Sequence, residues 1–131
     1  CIYFLKLSHQ ADLMKYSIIV LNPNIKENLE LCQILDELGY ITSSKKSFDE
    51  LAEALSEKTC QAVIIDIDTL PLENRQIRQI SEQFTDLILI FTSKDRLHPD
   101  LKESISQYVY ACIHKPFDVD EIKLLFSKHI K

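Results

Sequence analysis

The sequence predicts an α/β domain of the (βα)5 type, in which a doubly wound sheet of five parallel strands carries helices on both faces. Three observations predict this fold. Five short apolar runs alternate with amphipathic segments along the chain. Three of these runs are continuous and rich in β-branched residues, as expected for parallel strands that are covered on both faces. The four prolines all lie at borders between elements, where they interrupt neither a helix nor a strand.

The apolar runs predict the strands in order. They are Ser17–Leu21, Tyr40–Thr42, Ala62–Ile67, Leu87–Phe91 and Ala111–His114. Because alternating units of this kind connect through right-handed crossovers, the runs are expected to join into one parallel sheet. In such a sheet, ligand sites lie beyond the carboxyl ends of the strands. The functional residues are therefore expected at those ends.

The helices are predicted from apolar residues that recur three or four positions apart. The stripes are Ile25, Leu29 and Cys32, broadened by Leu31, Leu35 and Leu38; Leu51 and Leu55; Ile77, Ile80 and Phe84; Leu101, Ile105 and Tyr108; and Val119, Ile122, Phe126 and Ile130. Gly39 predicts the end of the first helix. Two capping boxes, Ser47-x-x-Glu50 and Asp118-x-x-Glu121, predict the starts of the second and fifth helices.

Length and composition fit a single domain. The chain has 131 residues, of which 46% are hydrophobic and 27% are charged, so it has enough apolar side chains to form a core. Residues 1–13 differ from the remainder, and Met14 directly precedes the first strand-like run. We interpret residues 1–13 as a tail, a linker or an expression-derived segment, and residues 14–131 as the domain.

Composition also argues against several classes of function. The net charge of −5 argues against a nucleic-acid surface, and no apolar run is long enough for a membrane helix. Because Gly39 is the only glycine, a Gly-rich phosphate loop or a dinucleotide fingerprint is not expected. The four cysteines lack metal-ligand spacing, which favours free thiols in a reducing cytoplasm over a disulfide or zinc framework.

Three polar residues stand at the predicted strand ends. Asp66, Thr92 and Lys115 end or follow the third, fourth and fifth strands. Taken singly, they fit a helix-capping acid, a turn hydroxyl and a surface lysine. Together they bring a carboxylate, a hydroxyl and an ammonium to one crevice, and this set of groups is suited to phosphoryl transfer.

The segments around these residues resemble the receiver domains of two-component response regulators. AVIIDIDTLP is similar to the third strand with its phosphoacceptor aspartate, ILIFTS to the fourth strand with its switch hydroxyl, CIHKPF to the fifth strand, and PNIKENLELCQILDELGY to the first helix. The resemblance covers about residues 16–131. It implies a flavodoxin-like sheet in the order 2-1-3-4-5. It further implies that Asp66 is the phosphoacceptor, Thr92 the switch hydroxyl and Lys115 the invariant lysine, followed by a cis bond to Pro116.

The sequence departs from this family where the family binds metal. Receiver domains place two acids directly after the first strand, and these hold Mg²⁺ beside the phosphoacceptor. Here the stretch is Leu21-Asn22-Pro23-Asn24. An asparagine brings an oxygen but no charge, so we expect Mg²⁺ at Asp66 and Asn22 to be weak or absent, and we expect no other cofactor. Loss of the metal removes the main electrostatic support for phosphoryl transfer.

Smaller departures lie near the same positions. Asp66 and Pro71 are one residue further apart than is usual in the family, so Asp68 can intrude on the pocket. The aromatic switch position of the family corresponds to Cys112, although Tyr110 is nearby.

The residues leave two functions open. One is a pseudo-receiver, a protein-interaction module whose state is set by binding. The alternative is a conventional receiver that a histidine kinase phosphorylates on Asp66. An unrelated α/β enzyme is disfavoured because His98, His114 and His129 are far apart in the pattern, and we expect no enzyme activity.

The expected partners are proteins. They are a histidine kinase or phosphotransfer protein and a downstream output domain. We expect signalling partners to bind to the face formed by the fourth helix, the fifth strand and the fifth helix. We expect a cytoplasmic location and no contact with nucleic acid or membrane. The sequence leaves open whether the domain forms a homodimer.

Overall fold

The computed structural model describes residues 17–57, 60–70, 72–84, 86–94 and 107–129. The boundary predicted after residue 13, Pro71, His98 and most of the predicted fourth helix lie outside these residues. The described elements are β1 (Ser17–Leu21), α1 (Ile25–Glu37), β2 (Ile41–Lys45), α2 (Phe48–Glu57), β3 (Ala62–Asp66), α3 (Asn74–Gln83), β4 (Ile88–Ser93), β5 (Val109–His114) and α4 (Val119–His129).

The five strands form one parallel sheet in the order β2-β1-β3-β4-β5. The predicted α/β class and the predicted strand order are confirmed. β3 lies at the centre of the sheet, and all five of its residues are buried. No helix among the described residues is long and apolar enough to cross a membrane.

Strand boundaries differ from the prediction where the residues are polar or exposed. β2 has the polar sequence ITSSK and continues to Lys45, whereas the apolar run predicted its end at Thr42. β4 continues to Ser93 and β5 begins at Val109, each two residues beyond the predicted limit. The backbone of these residues hydrogen-bonds in the sheet even though their side chains do not follow the apolar pattern.

The core consists of two layers, one on each face of the sheet. The layer under α1 and α4 contains Ile18, Val20, Leu31, Ile34, Leu35, Ala62, Ile64, Ile90, Ile113, Ile122 and Phe126. The layer under α2 and α3 contains Ile19, Leu21, Leu51, Val63, Ile65, Ile67, Leu72, Ile77, Leu89 and Phe91. Successive strand residues point to opposite faces, so an apolar run that is continuous in sequence supplies both layers.

The buried side of α1 differs from the prediction. Ile25 and Leu29 are 58% and 56% exposed, so their place in the predicted stripe is wrong. The other predicted members, Cys32, Leu31, Leu35 and Leu38, lie in the core layer or pack against it. The buried side is formed by Asn28, Leu31, Ile34 and Leu35. Val119 at the start of α4 was also predicted to be buried and is 49% exposed.

Asn28 is the polar residue on the buried side of α1. Its Nδ2 donates to the carbonyl oxygens of Val20 at 3.2 Å, Asn22 at 3.0 Å and Lys45 at 3.3 Å. A buried amide is favourable when it is hydrogen-bonded in this way, so a polar residue takes the inward position nearest to the strands. An apolar pattern cannot predict such a position.

The helix ends mostly follow the prediction. Gly39 has a φ of +96° and follows α1, as expected for a glycine that ends a helix. Ser47 accepts from the amide of Glu50 at 3.2 Å, but the Glu50 carboxylate accepts from the amide of residue 46, so half of the predicted capping box forms. Asp118 accepts from the amide of Glu121 at 3.4 Å at the start of α4.

Candidate functional site

The carboxyl ends of β3, β4 and β5 bring the three predicted side chains into contact. Asp66 is the last residue of β3 and pairs with Thr92 of β4, while Lys115 directly follows β5. The Thr92 hydroxyl donates to Asp66 Oδ1 at 2.9 Å, and the Lys115 ammonium donates to the same oxygen at 2.8 Å. All three residues are buried. Their chemical roles stay predictions.

The second oxygen of Asp66 is also engaged. Oδ2 accepts from the hydroxyl of Thr69 at 2.6 Å and from its amide at 3.2 Å, in the turn that follows β3. The Asp66 side chain is 0% exposed. Each carboxylate oxygen therefore has two donors from the protein, and an incoming group must displace Thr69, Thr92 or Lys115 to reach either oxygen.

Lys115 is the centre of an ion cluster. Its Nζ lies 2.8 Å from Asp66, 3.0 Å from Glu27 and 3.1 Å from Asp68. An ammonium has three N–H donors, so contacts with three carboxylates use all of them. Burial disfavours the charge, but hydrogen bonds to Asp66, Glu27 and Asp68 raise the pKa of Lys115 above its ordinary value. The side chain is therefore an ammonium at neutral pH.

Asp68 reaches the pocket from the turn after β3, where the longer spacing before Pro71 allowed for it. Its carboxylate accepts from the Ser93 hydroxyl at 2.9 Å and from the Lys94 amide at 2.8 Å. Partial burial opposes ionisation, but the Lys94 amide, Lys115 and the Ser93 hydroxyl hold the pKa of Asp68 below its ordinary value. Asp68 thus connects the end of β4 to the lysine that follows β5.

Glu27 is the pocket residue that the sequence analysis missed. It lies in the first turn of α1, three residues after the N-cap Asn24, whose side chain accepts from the Glu27 amide. Its Oε1 accepts from Lys115 at 3.0 Å and from Asn22 Nδ2 at 3.1 Å. The sequence prediction expected pocket acids only in the stretch directly after β1. An acid in the first turn of the following helix also lies at this sheet edge, and that signal would have identified Glu27.

Asn22 was predicted as a weak metal ligand, and its side chain is engaged elsewhere. The residue is buried. Its Oδ1 accepts from the amide of Asn24 at 2.9 Å, while its Nδ2 donates to Glu27. Asn22 therefore orients the Glu27 carboxylate and directs its own carbonyl oxygen to the backbone.

As arranged, these residues do not fit a magnesium site. Mg²⁺ needs oxygen ligands in a near-octahedral arrangement around it. Here the carboxylates of Glu27, Asp66 and Asp68 face the ammonium of Lys115 instead. Among the residues that the structure describes, no group of three or more His, Cys, Asp or Glu side chains is placed to hold a metal ion. Three carboxylates and one ammonium give the cluster a formal charge of −2.

No protein-family model matches the chain, and no curated protein matches it. Solved structures do match. A response regulator from Thermotoga maritima is similar with a TM-score of 0.78 and 22% identity, over 89% of this chain and 98% of that one. NtrX from Brucella abortus, crystallised with ADP, is similar with a TM-score of 0.76 and 21% identity, over 89% of this chain. The chain has the fold of response-regulator receiver domains.

A third similar structure is an atypical orphan response regulator, described as showing a phosphorylation-independent regulatory mechanism. Its TM-score is 0.73 at 11% identity, over 87% of this chain and 94% of that one. The present chain spans only 26% of the length of NtrX, so the receiver fold corresponds to one part of that protein.

The predicted switch positions of the receiver fold lie on β5. Tyr110 is 45% exposed and falls at the irregularity in the pairing of β4 with β5, and Cys112 is exposed two residues later. Tyr108 packs against the core layer under α2 and α3. The Lys115–Pro116 peptide bond is cis, as predicted. The switch roles of these residues stay predictions.

Proposed function

We propose that this domain is a pseudo-receiver, a protein-interaction module on a receiver fold whose state does not depend on Mg²⁺-assisted phosphorylation. The ion cluster around Lys115 is the observation that carries the proposal. In this cluster Lys115 contacts the predicted phosphoacceptor Asp66 and two further carboxylates, Glu27 and Asp68. Among the described residues, Lys115 is the only cation in contact with Asp66. Each charged group of the cluster therefore has a partner of opposite charge from the protein itself.

Electrostatics support the proposal. A phosphoryl group carries negative charge and would enter a cluster of formal charge −2. We expect no divalent cation to bridge the acceptor and the transferred oxygens, because the carboxylates face Lys115 instead, and such bridging is worth several kcal/mol. Because each ~1.4 kcal/mol changes a rate about tenfold, we expect acceptance at Asp66 to be slower by about a thousandfold or more.

A conventional receiver is the second candidate, and one observation favours it. The hydroxyl of Thr92 and the ammonium of Lys115 both contact Asp66 Oδ1, which leaves Oδ2 as the oxygen that could react. Thr69 supplies both of the hydrogen bonds to Oδ2, so movement of Thr69 would free that oxygen of its donors. Under this alternative, a histidine kinase phosphorylates Asp66 after the turn opens.

The test that separates the two candidates is direct phosphorylation. The chain is incubated with acetyl phosphate and millimolar Mg²⁺, and phosphate on Asp66 is followed by mass spectrometry over minutes. Asp66→Asn is the control, because it removes the acceptor and keeps the side-chain shape. We expect no difference between the two proteins. Phosphate that appears on the unmutated chain and not on Asp66→Asn contradicts the proposal and supports the conventional receiver.

The proposed partners are cytoplasmic proteins, including a downstream output domain. The described part of the proposed docking face is the surface of β5 and of α4, which is the predicted fifth helix. Tyr110 and Leu124 are 45% and 55% exposed in these two elements. We expect Tyr110→Ser to weaken partner binding, measured by calorimetry with the isolated partner. Leu29→Ser is the matched control, since Leu29 is 56% exposed on α1. A partner that loses affinity only with Leu29→Ser contradicts this face.

A further inference from the structure

The three carboxylates around Lys115 are held in place by bonds that do not involve the lysine. Asp66 accepts from Thr92 at 2.9 Å, Asp68 from Ser93 at 2.9 Å and Glu27 from Asn22 at 3.1 Å. The residues come from the end of β3, the turn that follows it and the first turn of α1. Three separately oriented carboxylates thus face the ammonium of Lys115, and as arranged they form a site for that ammonium and not for a metal ion.

We infer that Lys115 acts as a tethered cation which fills this tricarboxylate pocket and keeps divalent metal ions out of it. The inference deepens the proposed function and rests on it, because it gives the physical reason why the receiver fold would work here without Mg²⁺. The Lys115 side chain is only 6% exposed and lies within 3.1 Å of each carboxylate, so no ion can enter while the ammonium stays.

Removal of the lysine charge should allow the three carboxylates to rearrange around a divalent cation, which they are not placed to hold while Lys115 lies between them. Without Lys115, the carboxylates of Glu27, Asp66 and Asp68 face one another with no cation between them, and like charges at such distances repel strongly when they are shielded from water. A set of carboxylate oxygens is the ligand set that hard divalent cations prefer. A tethered ammonium competes well with free ions because its effective concentration is high and its attachment is intramolecular.

The first test is divalent-cation binding by Lys115→Met. Mn²⁺ is the probe, and bound Mn²⁺ is measured by electron paramagnetic resonance, with calorimetry to give the stoichiometry. We expect one Mn²⁺ per chain in Lys115→Met, bound at least about tenfold more tightly than in the unmutated protein. Lys94→Met is the matched control, since it removes the same charge from an exposed residue that borders the pocket.

The outcomes of this test are decisive. Equal Mn²⁺ affinity in the unmutated chain and in folded Lys115→Met overturns the inference. Equal gains in Lys94→Met and Lys115→Met also overturn it, because net charge alone would then explain the binding.

A second pair of variants tests the residue that the sequence analysis missed. In the Lys115→Met background, Glu27→Gln removes one of the three carboxylates, and we expect it to weaken Mn²⁺ binding about tenfold. Glu37→Gln in the same background is the control, because Glu37 is exposed at the far end of α1. Unchanged affinity after Glu27→Gln contradicts the role of Glu27 in the pocket.

A further measurement does not require Lys115→Met to fold. Lysines of the unmutated chain are acylated, and the rate at each site is followed by mass spectrometry. We expect Lys115 to react at least about tenfold more slowly than exposed Lys94, and Glu27→Gln with Asp68→Asn to reduce that difference. Reaction of Lys115 at the rate of Lys94 in the unmutated chain overturns the inference. Neither measurement uses a phosphodonor, so the proposed function and this inference can fail separately.

Discussion

Thr69 is the residue that completes the hydrogen bonds of the buried Asp66 carboxylate, with its hydroxyl at 2.6 Å from Oδ2. Thr69→Val removes this donor and keeps the shape of the side chain. A hydrogen bond to a charged group contributes about 1.5–3 kcal/mol, so we expect the free energy of unfolding in urea to fall by about that amount.

The control for this prediction is a second threonine that bonds to a carboxylate. The Thr42 hydroxyl donates to Asp36 at 2.9 Å on the surface. Because solvent can replace that bond, Thr42→Val should change the free energy of unfolding by less than about 0.5 kcal/mol. Equal losses in the two variants would show that burial of Asp66 does not strengthen the Thr69 bond.

The lowered pKa of Asp68 predicts that the stability of the fold depends on pH. Its pKa is lowered from the ordinary value of 3.8 in the folded state, so its contribution to stability is present above pH 3.8 and is lost as the pH falls through the folded pKa. We expect the difference in unfolding free energy between the unmutated chain and Asp68→Asn to be constant at neutral pH and to shrink below pH 3.8. Urea titrations at several pH values measure it, and a difference that grows in acid contradicts the prediction.

For single residues, the sequence predicted the pocket residues that end or follow strands and missed the pocket residue that a helix supplies. Asp66, Thr92 and Lys115 each come directly at the end of an apolar run, and parallel strands bring such ends together. Glu27 lies at the same edge in the first turn of α1, where Asn28 hydrogen-bonds to the Asn22 carbonyl and Asn22 orients the Glu27 carboxylate. Those two contacts join residues only five and six positions apart, but they are hydrogen bonds of polar side chains, which an apolar pattern does not contain.

Among the elements, α1 gives the clearest test of what holds a helix against the sheet. Asn28→Ala removes the donor from three backbone carbonyl oxygens, whereas Leu29→Ala removes a larger apolar side chain that is 56% exposed. A buried group that loses its partner costs about 1–3 kcal/mol. We therefore expect Asn28→Ala to lower the free energy of unfolding by about 2 kcal/mol and Leu29→Ala by less than about 0.5 kcal/mol. A larger loss for Leu29→Ala in urea titrations would restore the buried face that the apolar pattern predicted.

The strands show why some elements are easier to predict than others. β3 is buried at all five positions, so its apolar run AVII is continuous and its place in the sheet is evident. β2 lies at the edge, and its residues Ser43 to Lys45 pair with β1 through the backbone while their side chains are polar. A sequence pattern reports side-chain burial, so it finds central strands more completely than edge strands.

For the molecule as a whole, the two core layers share one sheet and are expected to unfold together. Phe126 is fully buried in the layer under α1 and α4, and Phe91 is fully buried in the layer under α2 and α3. Phe126→Ala and Phe91→Ala should each lower the free energy of unfolding by about 3–5 kcal/mol.

In a variant that keeps Tyr40 and replaces the other four tyrosines by Phe, fluorescence reports the layer under α1 and α4, because Tyr40 packs on Phe126 with ring centroids 5.4 Å apart. Tyrosine fluorescence and far-ultraviolet circular dichroism should therefore give coincident transitions in Phe91→Ala, even though Phe91 lies on the other face. A fluorescence transition that stays at the position of the unmutated chain while the dichroism transition shifts would show that the layers unfold independently.

The fold and the ionic pocket differ in how far sequence predicts them. The parallel sheet follows from burial, which repeats over many residues and tolerates single errors such as the stripe assigned to Ile25 and Leu29. The pocket depends on four charged groups, and its formal charge of −2 includes Glu27, which the sequence analysis did not place there. One unassigned carboxylate changes the expected chemistry of such a site, whereas one misplaced leucine leaves the fold unchanged.

The contacts of Lys115 also bear on the order in which the structure forms during folding. Its partners Asp66 and Glu27 are 49 and 88 residues away along the chain, so these ion pairs close long loops. Contacts of this kind form late, since the entropy of loop closure opposes them until the sheet has assembled. We expect Lys115→Met to raise the unfolding rate in stopped-flow experiments and to leave the refolding rate nearly unchanged. Slower refolding with an unchanged unfolding rate would instead place the lysine in the folding nucleus.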